Sequence, residues 1–151
     1  MDIFEKCNQR YIQDEVRELG IYPYFHALES KQDTEVIMEG KRRIMLGSNN
    51  YLGLTTNPAV IQAGVDAYKA LGSGCSGSRF LNGTLKLHLE LEEELAKFLR
   101  KDAIVTFSTG FQSNLGIISA IVGMHDYVIM DRENHASLYD GCRLSYGKML
   151  R

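Results

Sequence analysis

The pattern of apolar and polar positions changes period several times along the chain, and each change predicts an element. Near the start, Ile3, Phe4, Cys7 and Tyr11 are spaced for one helical face, interrupted at Asp14 and Glu15. This predicts an amphipathic arm over residues 1–18 that lies on something else, such as a partner subunit. Residues 35–38 and 43–46, separated by Glu39-Gly40, read as two short strands around a tight turn. Residues 57–71 carry the clearest helix signals: Asn57 as N-cap, Pro58 at the first helical position and Gly72 just past the end. Val60, Ile61, Gly64, Val65, Tyr68 and Leu71 form the stripe expected to be buried. A glycine-rich loop over 72–83 precedes a helix over 85–99, with Leu91, Leu95 and Phe98 on one face. Glu93 and Lys97 are placed to pair across one turn of its solvent side.

Beyond residue 100 short apolar runs replace the helical period. Residues 103–107 (AIVTF) are typical of a strand buried on both faces, and they lead through Ser108, Thr109 and Gly110 into a helix. That helix carries Phe111, Leu115, Ile118 and Val122. A second run, 127–130, leads through 131–135 into another helical stretch, with no third strand expected before Arg151. Strand and helix alternating over short connections predicts a mostly parallel α/β sheet flanked by helices.

The chain has 151 residues, 44% of them hydrophobic, enough for a sizeable core. Its 17 basic and 19 acidic residues are well mixed, giving a net charge of −2, and nothing suggests a nucleic-acid partner. The longest apolar stretch, 115–122, is too short to span a bilayer, and no secretory signal is expected. Cys7, Cys75 and Cys142 have no zinc or CxxC spacing, so reduced thiols and a cytoplasmic setting are expected, with no metal site. Met38, Met45 and Met130 read as core. Glu90 and Glu92 to Glu94 read as a solvated helix face and His88 as a packing or capping residue, while His26 and His125 have no partners that would suggest a metal.

Four constellations could carry chemistry. At Ser108–Phe111 a glycine between a buried strand and a helix start exposes backbone N–H groups in a positive dipole, which suits a phosphate. The alternative is a plain turn, with Gly110 there for its conformation. His135, at the carboxyl end of the next strand, could stack on a flat cofactor, move protons, or simply cap the following helix. In the loop 72–84 the glycines allow close backbone approach, and Arg79 is a ready partner for a carboxylate or phosphate. The GxGxxG spacing of Gly72, Gly74 and Gly77 follows a helix instead of a strand, so it is not a dinucleotide fingerprint. In the fourth, 47–54, the asparagines either bind a ligand or shape an Asx turn, the turn being favoured on the residues alone.

NNYLGL, GSGCSGSRFLNGT with the following LHLELEEELAKF, FSTGFQSN and DRENHASLYDGCRLS, in this order and spacing over residues 22–146, resemble the α-oxoamine synthases. Finer likeness is to their bacterial serine palmitoyltransferase branch. The resemblance implies the N-terminal portion of a fold-type-I, aspartate aminotransferase-like pyridoxal 5'-phosphate (PLP) enzyme. Residues 1–46 would be an arm and hairpin serving the small domain or a dimer contact, and 47–151 the first part of the PLP-binding large domain. It implies that Gly110 and Phe111 hold the cofactor phosphate and that His135 stacks on the pyridine ring and helps hold the substrate carboxylate. Asn49 and Ser78 would lie near the amino acid, and Arg79 would be structural or at the dimer interface. The implied reaction is a decarboxylative condensation of L-serine with palmitoyl-CoA to 3-ketodihydrosphingosine, the first step of sphingolipid synthesis, in a cytoplasmic homodimer for which peripheral membrane contact is allowed. The alternatives are a 2-amino-3-ketobutyrate CoA ligase or 8-amino-7-oxononanoate synthase type of enzyme, or a non-catalytic partner subunit. The family's Schiff-base lysine is expected beyond residue 151, since none of Lys69, Lys86, Lys97, Lys101 or Lys148 sits in its motif. The chain alone is therefore expected to be inactive.

Overall fold

The computed structural model describes residues 2–151 and divides into two units, one ending at Gly74 and one running Cys75–Arg151. In the first unit the expected continuous arm is broken into a 3₁₀ turn, Glu5–Asn8, and helix α1, Ile12–Glu18. The break follows from Asp14, whose carboxylate accepts the Tyr11 N–H at 2.9 Å and so starts a new helix. The charges that interrupt the apolar stripe thus sit in the first turn of α1, where they oppose the positive end of the helix dipole.

Strands β1 (Glu35–Met38) and β2 (Lys41–Ile44) pair antiparallel, with Met38 opposite Lys41. Glu39 and Gly40 turn the chain with φ of +50° and +69°, as a two-residue hairpin loop with right-handed strand twist requires. So tight a turn makes Lys41 the first paired residue, two positions before the start expected from the apolar pattern. Val36 is almost fully buried beneath the hairpin, and Leu28 bridges to Met38 on its outer edge.

Helix α2 (Pro58–Leu71) begins as its sequence predicts, with Asn57 Oδ1 accepting the Ala59 N–H at 2.9 Å. Its apolar stripe is exposed, contrary to expectation: Val60, Val65 and Tyr68 are 50%, 39% and 65% accessible. Within its unit α2 packs on the 3₁₀ turn Leu54–Thr56, which is too small to cover two turns of helix.

The second unit contains α3 (Lys86–Leu99), α4 (Gly110–Ile121), β3 (Tyr127–Ile129), α5 (Ala136–Leu144) and β4 (Lys148–Leu150). β3 and β4 are parallel, with Val128 opposite Met149, and α5 connects them. β4 is the strand the sequence did not suggest; the expected helical stretch stops at Leu144. Conversely, residues 103–107 form no ladder among the described residues, because no neighbouring strand accepts their backbone groups.

Helices α4 and α5 pack closely through small residues. Ser137 and Gly141, one turn apart, face Asn114 and Ile118, and a Cβ on Gly141 would come within 2.9 Å of the Asn114 carbonyl. Cys142 and Met130 complete this core, whereas Met38 and Met45 are only half-buried. Phe98 is 82% exposed and Leu91 49%, so the α3 stripe is also largely uncovered.

Accessible surface totals 13,093 Å². Two separate compact bodies of half this mass would expose about 9,300 Å² together. The surplus is carried by amphipathic elements whose apolar sides have no partner among the described residues. All three cysteines are free thiols, as expected, and among the described residues no helix is long and apolar enough to cross a membrane.

Candidate functional site

The site is built where α4 and α5 begin, within the second unit. Thr109 caps α4: its hydroxyl accepts the Gln112 N–H at 3.1 Å and its carbonyl accepts the Ser113 N–H. The Gly110 and Phe111 N–H groups, one residue earlier, have no acceptor among the described residues. Gly110 has an ordinary negative-φ backbone, so the turn does not require glycine. A Cβ built there meets nothing within 4 Å. The open space above two free donors at the positive end of a twelve-residue helix is what a phosphate needs.

His135 is the N-cap of α5. Its Nδ1 accepts the Ser137 N–H at 3.2 Å and lies 2.7 Å from the Ser137 hydroxyl. Capping and ligand binding are therefore compatible, since the ring remains exposed and Nε2 makes no bond among the described residues. The loop before it is braced by Tyr139, whose hydroxyl donates toward the carbonyls of Asp131 and Arg132, and by Asp131, which accepts the Glu133 N–H at 2.7 Å. Asn114 Nδ2 donates to the fully buried Ser137 hydroxyl at 2.9 Å, joining the two helix starts. This bond sets the start of α5 against α4 without a ladder between 103–107 and β3.

Glu92 overturns the expectation of a solvated face. Its side chain is only 15% exposed, and it is clamped by both terminal nitrogens of Arg79, one at 3.0 Å. The Thr106 N–H and hydroxyl both donate to it as well, at 2.9 and 2.8 Å. Arg79 is thus the carboxylate partner its type suggested. Together with Phe107, whose ring packs against Gly116 of α4, this cluster holds residues 103–107 and hence the Ser108–Gly110 turn. The detectable signal was positional: Glu92 shares its helix face with His88, Leu95 and Ala96, all at least half-covered.

The Arg79 bonds, followed by those from the Thr106 N–H and hydroxyl, hold the Glu92 carboxyl down to about 2. A depressed folded-state value stabilises the fold above the unfolded carboxylate range, near 4.3, and that contribution is lost as pH falls from there toward 2. Acid unfolding should accordingly lose one carboxylate-linked step in this window when Glu92→Gln is compared with the parent protein by far-UV circular dichroism. Identical acid limbs for the two would contradict the linkage.

Ser78 is exposed, in the loop held by Arg79. Asn49, in the first unit, is exposed and makes no hydrogen bond among the described residues, whereas Asn50 shapes the turn by accepting the Thr55 N–H at 3.3 Å. His88 caps α3 by accepting the Leu85 N–H at 3.0 Å, and the Glu93–Lys97 pair forms at 2.9 Å.

Residues 41–151 match the family described as aminotransferase class I and II. The chain belongs to this family. A serine palmitoyltransferase of Sphingobacterium spiritivorum is 51% identical over 147 residues, covering 97% of this chain and 37% of that protein. An 8-amino-7-oxononanoate synthase of Geobacter sulfurreducens is 42% identical over 137 residues, covering 91% and 35%. The solved structure of a serine palmitoyltransferase from S. paucimobilis, with a bound PLP–myriocin aldimine, superposes with a TM-score of 0.92 at 38% identity, covering 100% of this chain and 39% of that one. The chain thus spans somewhat over a third of the length of the relatives it matches, and its fold is that of the corresponding part of a fold-type-I enzyme.

Proposed function

We propose that this chain supplies the phosphate cradle and the ring-facing histidine of a PLP-dependent enzyme that condenses L-serine with palmitoyl-CoA and releases carbon dioxide and CoA. The observation that carries the reading is Gly110: neither backbone conformation nor packing among the described residues demands glycine there, yet it keeps open the space above the free Gly110 and Phe111 N–H groups. A dianionic phosphate satisfies both donors and the dipole behind them. When bound, the cofactor supplies an electron sink for negative charge developed at the amino acid's α-carbon.

The chain's own residues bind and orient. Gly110 and Phe111 hold the phosphate by backbone N–H, so the anchor does not depend on a side-chain rotamer. His135, braced by its cap and by Tyr139, offers a flat face to the pyridine ring and the Nε2 edge to the substrate carboxylate. Ser78 is assigned to the amino-acid substrate, and so is Asn49 on motif resemblance. Residues 1–46 would serve the small domain or a homodimer contact, and 47–151 the large domain. The setting would be cytoplasmic.

The choice of serine and a long acyl chain is supported by the serine palmitoyltransferase relative at 51% identity. The 42% identical 8-amino-7-oxononanoate synthase favours a second reading, condensation of a smaller amino acid with another acyl thioester. Turnover by the protein at its relatives' length decides between them. CoA release from L-serine with palmitoyl-CoA is expected to exceed that from glycine or alanine with shorter acyl-CoAs by at least about tenfold in kcat/KM. The opposite order would establish the second reading, and no release with any pair would sink both.

A further inference from the structure

We infer that Ser137 and Asn114 are positioning residues that preset the His135 ring as the tautomer carrying its proton on Nε2. The inference rests on the reading of His135 as the residue that faces the cofactor and the substrate carboxylate, and it adds what makes that nitrogen a donor.

One group in the cluster has an unambiguous role. The Ser137 backbone N–H can only donate, and it points at His135 Nδ1 from 3.2 Å. Nδ1 must then present a lone pair, because an N–H at that position would meet another donor. The Ser137 hydroxyl lies 2.7 Å from the same nitrogen, and its single proton shares that lone pair with the backbone N–H in a three-centre bond. Its oxygen is left as an acceptor, and the Asn114 amide fills it from 2.9 Å. Every donor is then used once along the line Asn114 Nδ2–H to Ser137 Oγ–H to His135 Nδ1. The ring proton falls on Nε2, the edge free of other bonds among the described residues.

Burial gives this line its force. Ser137 has no accessible surface, so water cannot substitute for either neighbour. The close approach of α5 to α4 at Gly141 holds Ser137 against Asn114, and Asn114 lies one turn beyond the Gly110 cradle. The phosphate anchor and the histidine are thereby set by one rigid contact. A plain N-cap would need only the backbone N–H bond, and a buried serine two residues on with a half-buried amide behind it is more than capping requires.

Asn114→Asp is the informative substitution, since it keeps the shape and removes the donor. An aspartate oxygen can only accept from Ser137, which turns the hydroxyl proton away from His135 and pits Nδ1–H against the backbone donor. Nitrogen-15 NMR of the histidine-labelled holoprotein reads the outcome directly. In the parent, Nδ1 of His135 should be of the pyridine type and Nε2 of the pyrrole type. In Asn114→Asp the two signals should move toward each other. Ser137→Ala, which retains only the backbone donor, should move the two signals part of the way toward each other while raising KM for the amino acid by about tenfold, with a smaller effect on kcat.

A pyrrole-type Nδ1 in the parent overturns the inference, and so do unchanged nitrogen shifts in Asn114→Asp. Should that variant not fold, the parent's own nitrogen shifts and the KM-against-kcat split of Ser137→Ala still decide. The NMR result does not depend on turnover. Should the parent bind no PLP, the proposed function is refuted, and the same nitrogen shifts read on the cofactor-free protein still decide the tautomer.

Discussion

Replacing Gly83 by alanine is expected to destabilise the protein by about 3 kcal/mol and to disorder the loop that carries Ser78 and Arg79. Gly83 is buried, and its N–H donates to the Ser78 carbonyl at 2.9 Å, folding 78–83 back on itself. A Cβ at Gly83 would lie 2.6 Å from the Gly77 carbonyl carbon and 3.1 Å from that of Ser78. These neighbours are backbone and cannot turn aside, so the loop must open to admit the methyl group. Opening it also strains the Arg79–Glu92 clamp, because the Thr84 hydroxyl holds the Arg79 carbonyl at 2.6 Å from the same turn. Gly77 provides the control. A Cβ there collides with the Asn82 side chain, which can rotate away, so Gly77→Ala should cost clearly less. Urea unfolding of both variants tests this through the midpoint at unchanged slope. Equal midpoints would show that the close backbone approach is not what Gly83 is for.

The same loop shows how far sequence can be read. Its glycines announced close approach, and Arg79 announced an anion, but the pattern did not say that the anion was Glu92. A run of glutamates on a helix reads as solvent-facing because charge seldom turns inward. Here two arginine nitrogens and two Thr106 donors satisfy the inward carboxylate, a pairing that links residues 14 and 13 positions away. Elements specified by local chemistry were legible: the α2 start at Asn57-Pro58, the Glu39-Gly40 turn, and the α4 and α5 starts. Elements specified by pairing were not. The run 103–107 has strand-like residues but no ladder, and Lys148–Leu150 is a strand only because β3 lies beside it. Burial was misjudged for α2 for the same reason, since an apolar stripe states a need for a partner without supplying one.

Gly110→Val is expected to weaken PLP binding by about a hundredfold while leaving stability unchanged or slightly raised. Most glycines in such turns serve the backbone, and their replacement lowers stability and binding together. Gly110 separates the two effects, since its φ is not in the left-handed region and an added Cβ meets nothing within 4 Å among the described residues outside its own helix and chain neighbours. Glycine at the start of a helix also leaves the unfolded chain more freedom than valine would, so the substitution should not cost stability. The branched side chain would occupy the space above the Gly110 and Phe111 N–H groups and keep a phosphate from hydrogen-bond distance of both. Titration with PLP, read by fluorescence, and thermal unfolding of the cofactor-free protein measure the two quantities. Pyridoxal, which lacks the phosphate, isolates the cause: the parent and Gly110→Val should bind it with the same low affinity. Equal PLP affinities for parent and variant would place the phosphate elsewhere. A loss of pyridoxal binding as large as that of PLP would show that the valine disturbs the ring site at His135 instead of the cradle. A loss of stability without a change in affinity would return Gly110 to an ordinary turn glycine.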